Sequence, residues 1–153
     1  MELFRLARAP YARDLSGKGA ALYGARWNAA GVPMVYTATN RSLAMAEVSV
    51  HFTLATLPPD YMMVTLWVPD DVSLVNLDIT ALPQDWQIFP HPFSTQKVGN
   101  AFVAQAQYAL MKVPSAVTKG DYNVLINPNH QDAAKVEIAH LEPFPFDMRL
   151  FKV

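Results

Sequence analysis

Residues 94–126, STQKVGNAFVAQAQYALMKVPSAVTKGDYNVLI, hold one long helical pattern followed closely by two strand patterns. Val98, Ala101, Phe102, Ala106, Ala109 and Leu110 recur at three- and four-residue spacing, which predicts a helix over 94–111 ended by Pro114. Strands are expected over 113–117 and 122–126, and a third over 135–141. Working outward, 61–68 reads as a strong strand, and Pro69-Asp70-Asp71 turns the chain into another over 72–77. A loop over 83–92 carries Trp86 and His91. Towards the start come a strand over 2–7, a polar loop over 10–22 with Gly17 and Gly19, and a short strand over 34–37. A helix is expected over 41–53, capped by Thr39 or Asn40. Two helices among many short strands argue an α+β fold with short-stranded mixed sheets, and not the regular alternation of a doubly wound sheet.

The 12 prolines are dispersed, with no repeat or linker, so residues 1–153 read as one domain. A hydrophobic fraction of 52% suffices for a core. The absence of cysteine excludes a disulfide scaffold, a thiolate nucleophile, an iron–sulfur cluster and a Cys-ligated zinc. The stretch after Met1 lacks the apolar core of a signal peptide, and no apolar run approaches about 18 residues. The expectation is a soluble, cytoplasmic protein without a membrane partner.

A net charge of −1 argues against general polyanion or direct nucleic-acid binding. Its distribution is uneven: residues 1–50 hold six Lys and Arg against three acids, and five of the six arginines precede residue 42. Arginine is shaped to hold carboxylate or phosphate in a fork, so a local anionic ligand competes with ordinary surface scatter as the explanation. Charged residues make up 16%, against about 25% in typical domains, which is compatible with a face covered by a partner or a second copy.

Several chemistries lack their motifs. His51, His91, His130 and His140 have no metal-ligand spacing, and there is no Walker loop, Rossmann fingerprint or GxSxG elbow. Aromatics do not interleave with Lys and Arg as in single-strand nucleic-acid platforms.

One carboxylate stands out. Glu47 is the sole acid between Asp14 and Asp60, and its helical neighbours Leu43, Ala44, Val50 and His51 offer no Lys or Arg. An unpaired buried carboxylate is costly, so the pattern leaves open a structural ion pair with a distant base or a functional carboxylate lining a pocket. Upstream, Tyr23-Gly24-Ala25-Arg26-Trp27-Asn28 sets a guanidinium among aromatics, and Gly31 and Pro33 turn the chain into Val35-Tyr36-Thr37. These are core aromatics with a surface arginine, or one pocket in which Arg holds an anion, an aromatic stacks on a flat ring and Glu meets a ribose or a positive charge.

The ordered set Arg26-Trp27-Asn28, Gly31, Tyr36, Ala46-Glu47-Val48, Val113-Pro114-Ser115-Ala116 and Tyr122 to Pro128 resembles the RES domain family, named for an Arg, a Glu and a Ser in that order. The likeness runs from Phe4-Arg5 to Glu142-Pro143-Phe144 and Phe146-Asp147, with Leu77-Asp78 and Pro92-x-Ser94-Thr95-Gln96 between. Ala25 stands where many relatives have Gly. The resemblance implies a fold similar to ADP-ribosyltransferases and the toxin of a RES–Xre toxin–antitoxin module. It implies depletion of NAD+ by phosphorolysis or hydrolysis of the nicotinamide–ribose bond, with no cofactor or metal and with inorganic phosphate as co-substrate of the phosphorolytic route. The implied partner is an Xre-family antitoxin that occludes the active site, which leaves room for a homodimer inside that complex.

Carried over by position, the resemblance implies Arg26, Tyr36, Glu47 and Ser115 as catalytic residues, with Asn127 joining Arg26, Tyr36 and Ser115 in binding substrate. Arg26 is expected on the diphosphate or incoming phosphate, and Tyr36 on the nicotinamide or its ribose. Glu47 is expected to stabilise the ribosyl cation or align the acceptor, and Ser115 to bond a phosphate or ribose oxygen. Trp27 reads as packing. The rival readings are mono-ADP-ribosyl transfer to a protein through the same pocket, and a nucleotide-binding module without catalysis.

Overall fold

The computed structural model describes residues 1–151; positions 152 and 153 of the expected domain lie outside the described residues. Seven strands form one mixed sheet: β1 (Glu2–Arg8), β2 (Val35–Ala38), β3 (Tyr61–Trp67), β4 (Leu74–Asn76), β5 (Leu110–Pro114), β6 (Tyr122–Ile126) and β7 (Glu137–Pro143). Their spatial order is β4-β5-β6-β2-β1-β3-β7. The β4–β5 pair is parallel and every other pair antiparallel. Among the described residues three α-helices accompany the sheet: α1 (Lys18–Tyr23), α2 (Arg41–Ser49) and α3 (Phe93–Gln105). The α+β architecture expected from the sequence is the one observed.

The alternation of side chains along each strand divides the core by face. Leu3, Val35, Val64, Leu66, Leu110, Val124 and Ile126 face one side, under loops that contribute Ala12, Val68, Val72 and Val136. The opposite face carries two clusters. Under α3, Phe102 and Val103 pack on Met111, Val113 and Leu125 together with Trp27 and Met34. Under α2, Leu43 and Ala44 pack on Ala38 and Met63, with Phe4 and Leu6 alongside. Both longer helices therefore lie on one face, with a valley between them. Strand β3 buries four consecutive residues, Met63 to Leu66, because it is covered on both sides.

The middle of the sheet is its weakest line. β1 and β2 are joined at a single paired position, Phe4 against Ala38, whereas β1 and β3 pair over seven positions.

Several boundaries differ from the sequence reading. The helix expected over 94–111 stops at Gln105, where Ala106 takes a left-handed conformation at φ 47°, and Leu110 and Met111 enter β5. Burial of both residues in the sheet outweighs the cost of a left-handed alanine. Pro114 consequently ends a strand, not a helix. The buried face of α3 is Thr95, Gly99, Phe102 and Val103, while Ala101 and Ala106 are exposed. Helix α2 ends at Ser49, short of residue 53, and its N-terminus is capped by Asn40, whose side chain accepts from the Leu43 N–H at 2.8 Å. The second part of the polar loop expected over 10–22 is instead helical: α1 starts after Gly17 at φ 73° and runs on to Tyr23.

Candidate functional site

The segment after α1 is held from within. Asn28 is fully buried; its Nδ2 donates to the carbonyls of Ala20 and Val32, each at 3.0 Å. Its Oδ1 accepts from the Tyr36 hydroxyl at 2.6 Å, and that hydroxyl accepts from the Trp27 N–H at 3.1 Å. Burial pushes the Tyr36 phenol well above its ordinary pKa, so it remains a proton donor to Asn28. Helix α3 presses against the same segment at Gly99, where an added Cβ would sit 1.5 Å from the Trp27 carbonyl oxygen. Gln96 Nε2 donates to the Ala25 carbonyl at 3.0 Å. Trp27 and Asn28 thus face inward, and Arg26 between them and Ala25 stays partly exposed.

Arg26 Nη1 donates to the main-chain carbonyls of Trp86 and Ile88, at 2.6 and 3.0 Å. Among the described residues its Nε and Nη2 bond no protein group, so one edge of the guanidinium remains available to an anion. Burial lowers the Arg26 pKa, and the nearby charge of Glu47 opposes that shift.

Glu47 and Ser115 come together from α2 and the end of β5. Ser115 is buried and its Oγ donates to Glu47 Oε1 at 2.8 Å. The same oxygen accepts from the N–H groups of Val117 and Thr118, at 3.1 and 2.9 Å. Two backbone donors and one carboxylate acceptor fix the hydroxyl, which therefore orients Glu47. Among the described residues no Lys, Arg or His reaches Glu47 within ion-pair distance. Among these residues the ion-pair alternative is not formed, and Glu47 Oε2 has no hydrogen-bond partner.

Glu47 and Ser115 are thus joined directly, Arg26 lies close enough to Glu47 for their charges to interact, and the Tyr36 hydroxyl is turned inward to the Arg26-Trp27-Asn28 segment. Asn127 is not brought to this group. It is fully buried at the other end of the β5–β6 hairpin, where Nδ2 donates to the Val103 carbonyl at 3.2 Å and Oδ1 accepts from the Asn129 N–H at 3.0 Å.

Two further side chains, one of them within reach of the Arg26 charge, lay outside the expected set. His91 Nδ1, just before α3, and Ser94 Oγ, in its first turn, are buried without a hydrogen-bond partner among the described residues. Burial, then the charges of Arg26 and His51, lowers the His91 pKa from 6.5, so its imidazole is neutral at pH 7. Their one sequence signal was the Pro92-x-Ser94-Thr95-Gln96 run beside His91; histidine spacing alone gave none.

The family described as "RES domain" matches residues 2–147. A protein of Sphingobium sp. named "Prs ADP-ribosylating toxin" is 35% identical over 95% of this chain and 92% of its own. Proteins named "Toxin Res" are similarly close: that of Photorhabdus laumondii is 36% identical over 99% of this chain and 98% of its own. That of Pseudomonas putida is 37% identical over 90% and 93%. Among solved structures, the "M.tuberculosis MbcT-MbcA toxin-antitoxin complex" contains a chain that superposes with a TM-score of 0.77 at 21% identity, covering 94% of this chain and 83% of that one, a likeness of fold.

Proposed function

The chain belongs to the RES domain family, and on that premise we propose that it is the toxin of a toxin–antitoxin pair, acting in the cytoplasm by cleaving the nicotinamide–ribose bond of NAD+. The observation that carries this reading is the Ser115-held Glu47 carboxylate, with one oxygen free of partners among the described residues, close enough to Arg26 for their charges to interact. In the reaction the C1″–N bond breaks and its electron pair leaves with nicotinamide, a neutral ring. The ribosyl carbon becomes cation-like, and a fixed carboxylate stabilises it without needing a metal. Bond formation to a phosphate oxygen gives ADP-ribose 1″-phosphate. Bond formation to water gives ADP-ribose and a proton. Arg26 holds the diphosphate or the incoming phosphate, and Tyr36 keeps the Arg26 segment in place while its ring borders the nicotinamide side. Asn127 acts as support for the hairpin.

Purified protein is incubated with NAD+ in phosphate and phosphate-free buffers, and products are weighed by mass spectrometry. Nicotinamide release with either ADP-ribose product supports the reading, and the product names the acceptor. Intact NAD+ in both buffers, from folded protein, overturns it.

A second reading is mono-ADP-ribosyl transfer to a protein, favoured by the similarity to a relative named as an ADP-ribosylating toxin. Label from NAD+ appearing on protein in a lysate would select it. An Xre-family antitoxin covering the valley is the proposed partner, consistent with the hydrophobic side chains Tyr23, Phe89 and Phe93 exposed in the segments around Arg26.

A further inference from the structure

We propose that His91 Nδ1 and Ser94 Oγ form, with the free edge of Arg26, a subsite for a phosphate group; this rests on reading the valley as an NAD+ site. Among the described residues these are the two buried side-chain polar atoms without a hydrogen-bond partner, and they are three positions apart in the chain. Most other deep polar side chains are satisfied: Asn28, Thr37, Thr95, Ser115 and Asn127 each hydrogen-bond a neighbour. A fold that satisfies most of its deep polar side chains but leaves two such orphans, His91 within reach of the Arg26 charge and Ser94 three positions on, is arranged for a partner from outside the chain.

The chemistry narrows that partner. A serine hydroxyl and a neutral imidazole can each donate one hydrogen bond, and Arg26 adds up to three N–H groups and the positive charge from Nε and Nη2. Several converging donors around one cation suit a group with several anionic oxygens, which a ribose hydroxyl or a carboxamide lacks. Entry is through the preceding segment. Residues 83–90 are mostly exposed, and their hydrogen bonds to the rest of the chain are the two from Arg26. An anion arriving at Arg26 therefore meets a cover before His91 that is held by those two bonds and by Trp86 packed beside Trp27.

Orthophosphate and the diphosphate of NAD+ share this chemistry. Calorimetric titration of wild type, Ser94→Ala, His91→Gln and His91→Asn with orthophosphate, ADP-ribose and nicotinamide distinguishes them. Asn places its amide nitrogen where Nδ1 stands, and Gln where Nε2 stands. Ser94→Ala and His91→Gln should weaken one phosphate-bearing probe about tenfold or more, with His91→Asn close to wild type. Ser94→Ala without ligand should melt at or above the wild-type Tm, because a hydroxyl without a partner has been removed. Loss confined to orthophosphate assigns a co-substrate subsite, and loss for ADP-ribose a diphosphate subsite. Unchanged affinities, loss for nicotinamide alone, a wild type that binds neither phosphate probe, or a lowered Tm for Ser94→Ala overturns the proposal. Phosphate-probe binding by a wild type that leaves NAD+ intact would instead overturn the cleavage reading and leave the subsite standing.

Discussion

Ser115 performs two tasks with one oxygen, and its replacement separates them. Ser115→Ala leaves the N–H groups of Val117 and Thr118 without their acceptor, a loss of about 1–3 kcal/mol measurable by denaturant unfolding. It also frees Glu47 to rotate, so kcat for NAD+ cleavage should fall more than KM rises. Glu47→Gln keeps the size and removes the charge; kcat should drop about a hundredfold or more with Tm little changed, and near-wild-type turnover would refute the electrostatic role. Arg26→Lys keeps the charge and loses the fork, so KM should rise about tenfold in steady-state assays. His91 gives a pH signature. Its folded-state pKa lies below the unfolded 6.5, so the unfolded chain takes up the proton first as pH falls. Its contribution to stability is complete above that value and declines below it. Melting curves from pH 7.5 to 5.5 should therefore show a steeper loss for wild type than for His91→Asn.

At the scale of elements, the contact between α3 and the Arg26 segment depends on the absence of one methyl group. Gly99→Ala would drive a carbon into the Trp27 carbonyl oxygen, and α3 would have to move away from the segment it braces. The expected cost is about 3 kcal/mol or more by chemical denaturation, with lost activity, against about 1 kcal/mol for removing the α2 cap in Asn40→Ala. Element identity was largely legible in the chain. The strand over 122–126 was readable because its apolar run and flanking turn residues agree, and β6 has those bounds. The end of α3 was not, because Ala109, Leu110 and Met111 fit helical spacing as well as they fit a buried strand, and only the sheet distinguishes the two. The Glu47–Ser115 pairing was outside local pattern altogether, since 68 positions separate the partners. What the sequence carried about Glu47 was the lack of any base on its helical face; what it lacked was the hydroxyl that takes the base's place.

For the molecule as a whole, the sheet is two well-paired halves meeting at Phe4 and Ala38. Native-state hydrogen exchange should find the amides along that meeting line opening at lower free energy than those within β3 or β6, and uniform protection across the sheet would contradict this. Helix α2 lies over the line, with Leu43 and Ala44 resting on Ala38 from one half and on Phe4, Leu6 and Met63 from the other. Glu47 is thus carried by a helix resting on both halves, whereas Ser115 follows β5 in one of them. The gap between carboxylate and hydroxyl is then a property of a compliant joint, which side-chain changes in β1 or β3 can widen or narrow without entering the valley. Evolution in such a chain can adjust the strength of its activity from the back of the sheet, leaving the residues that meet the substrate untouched.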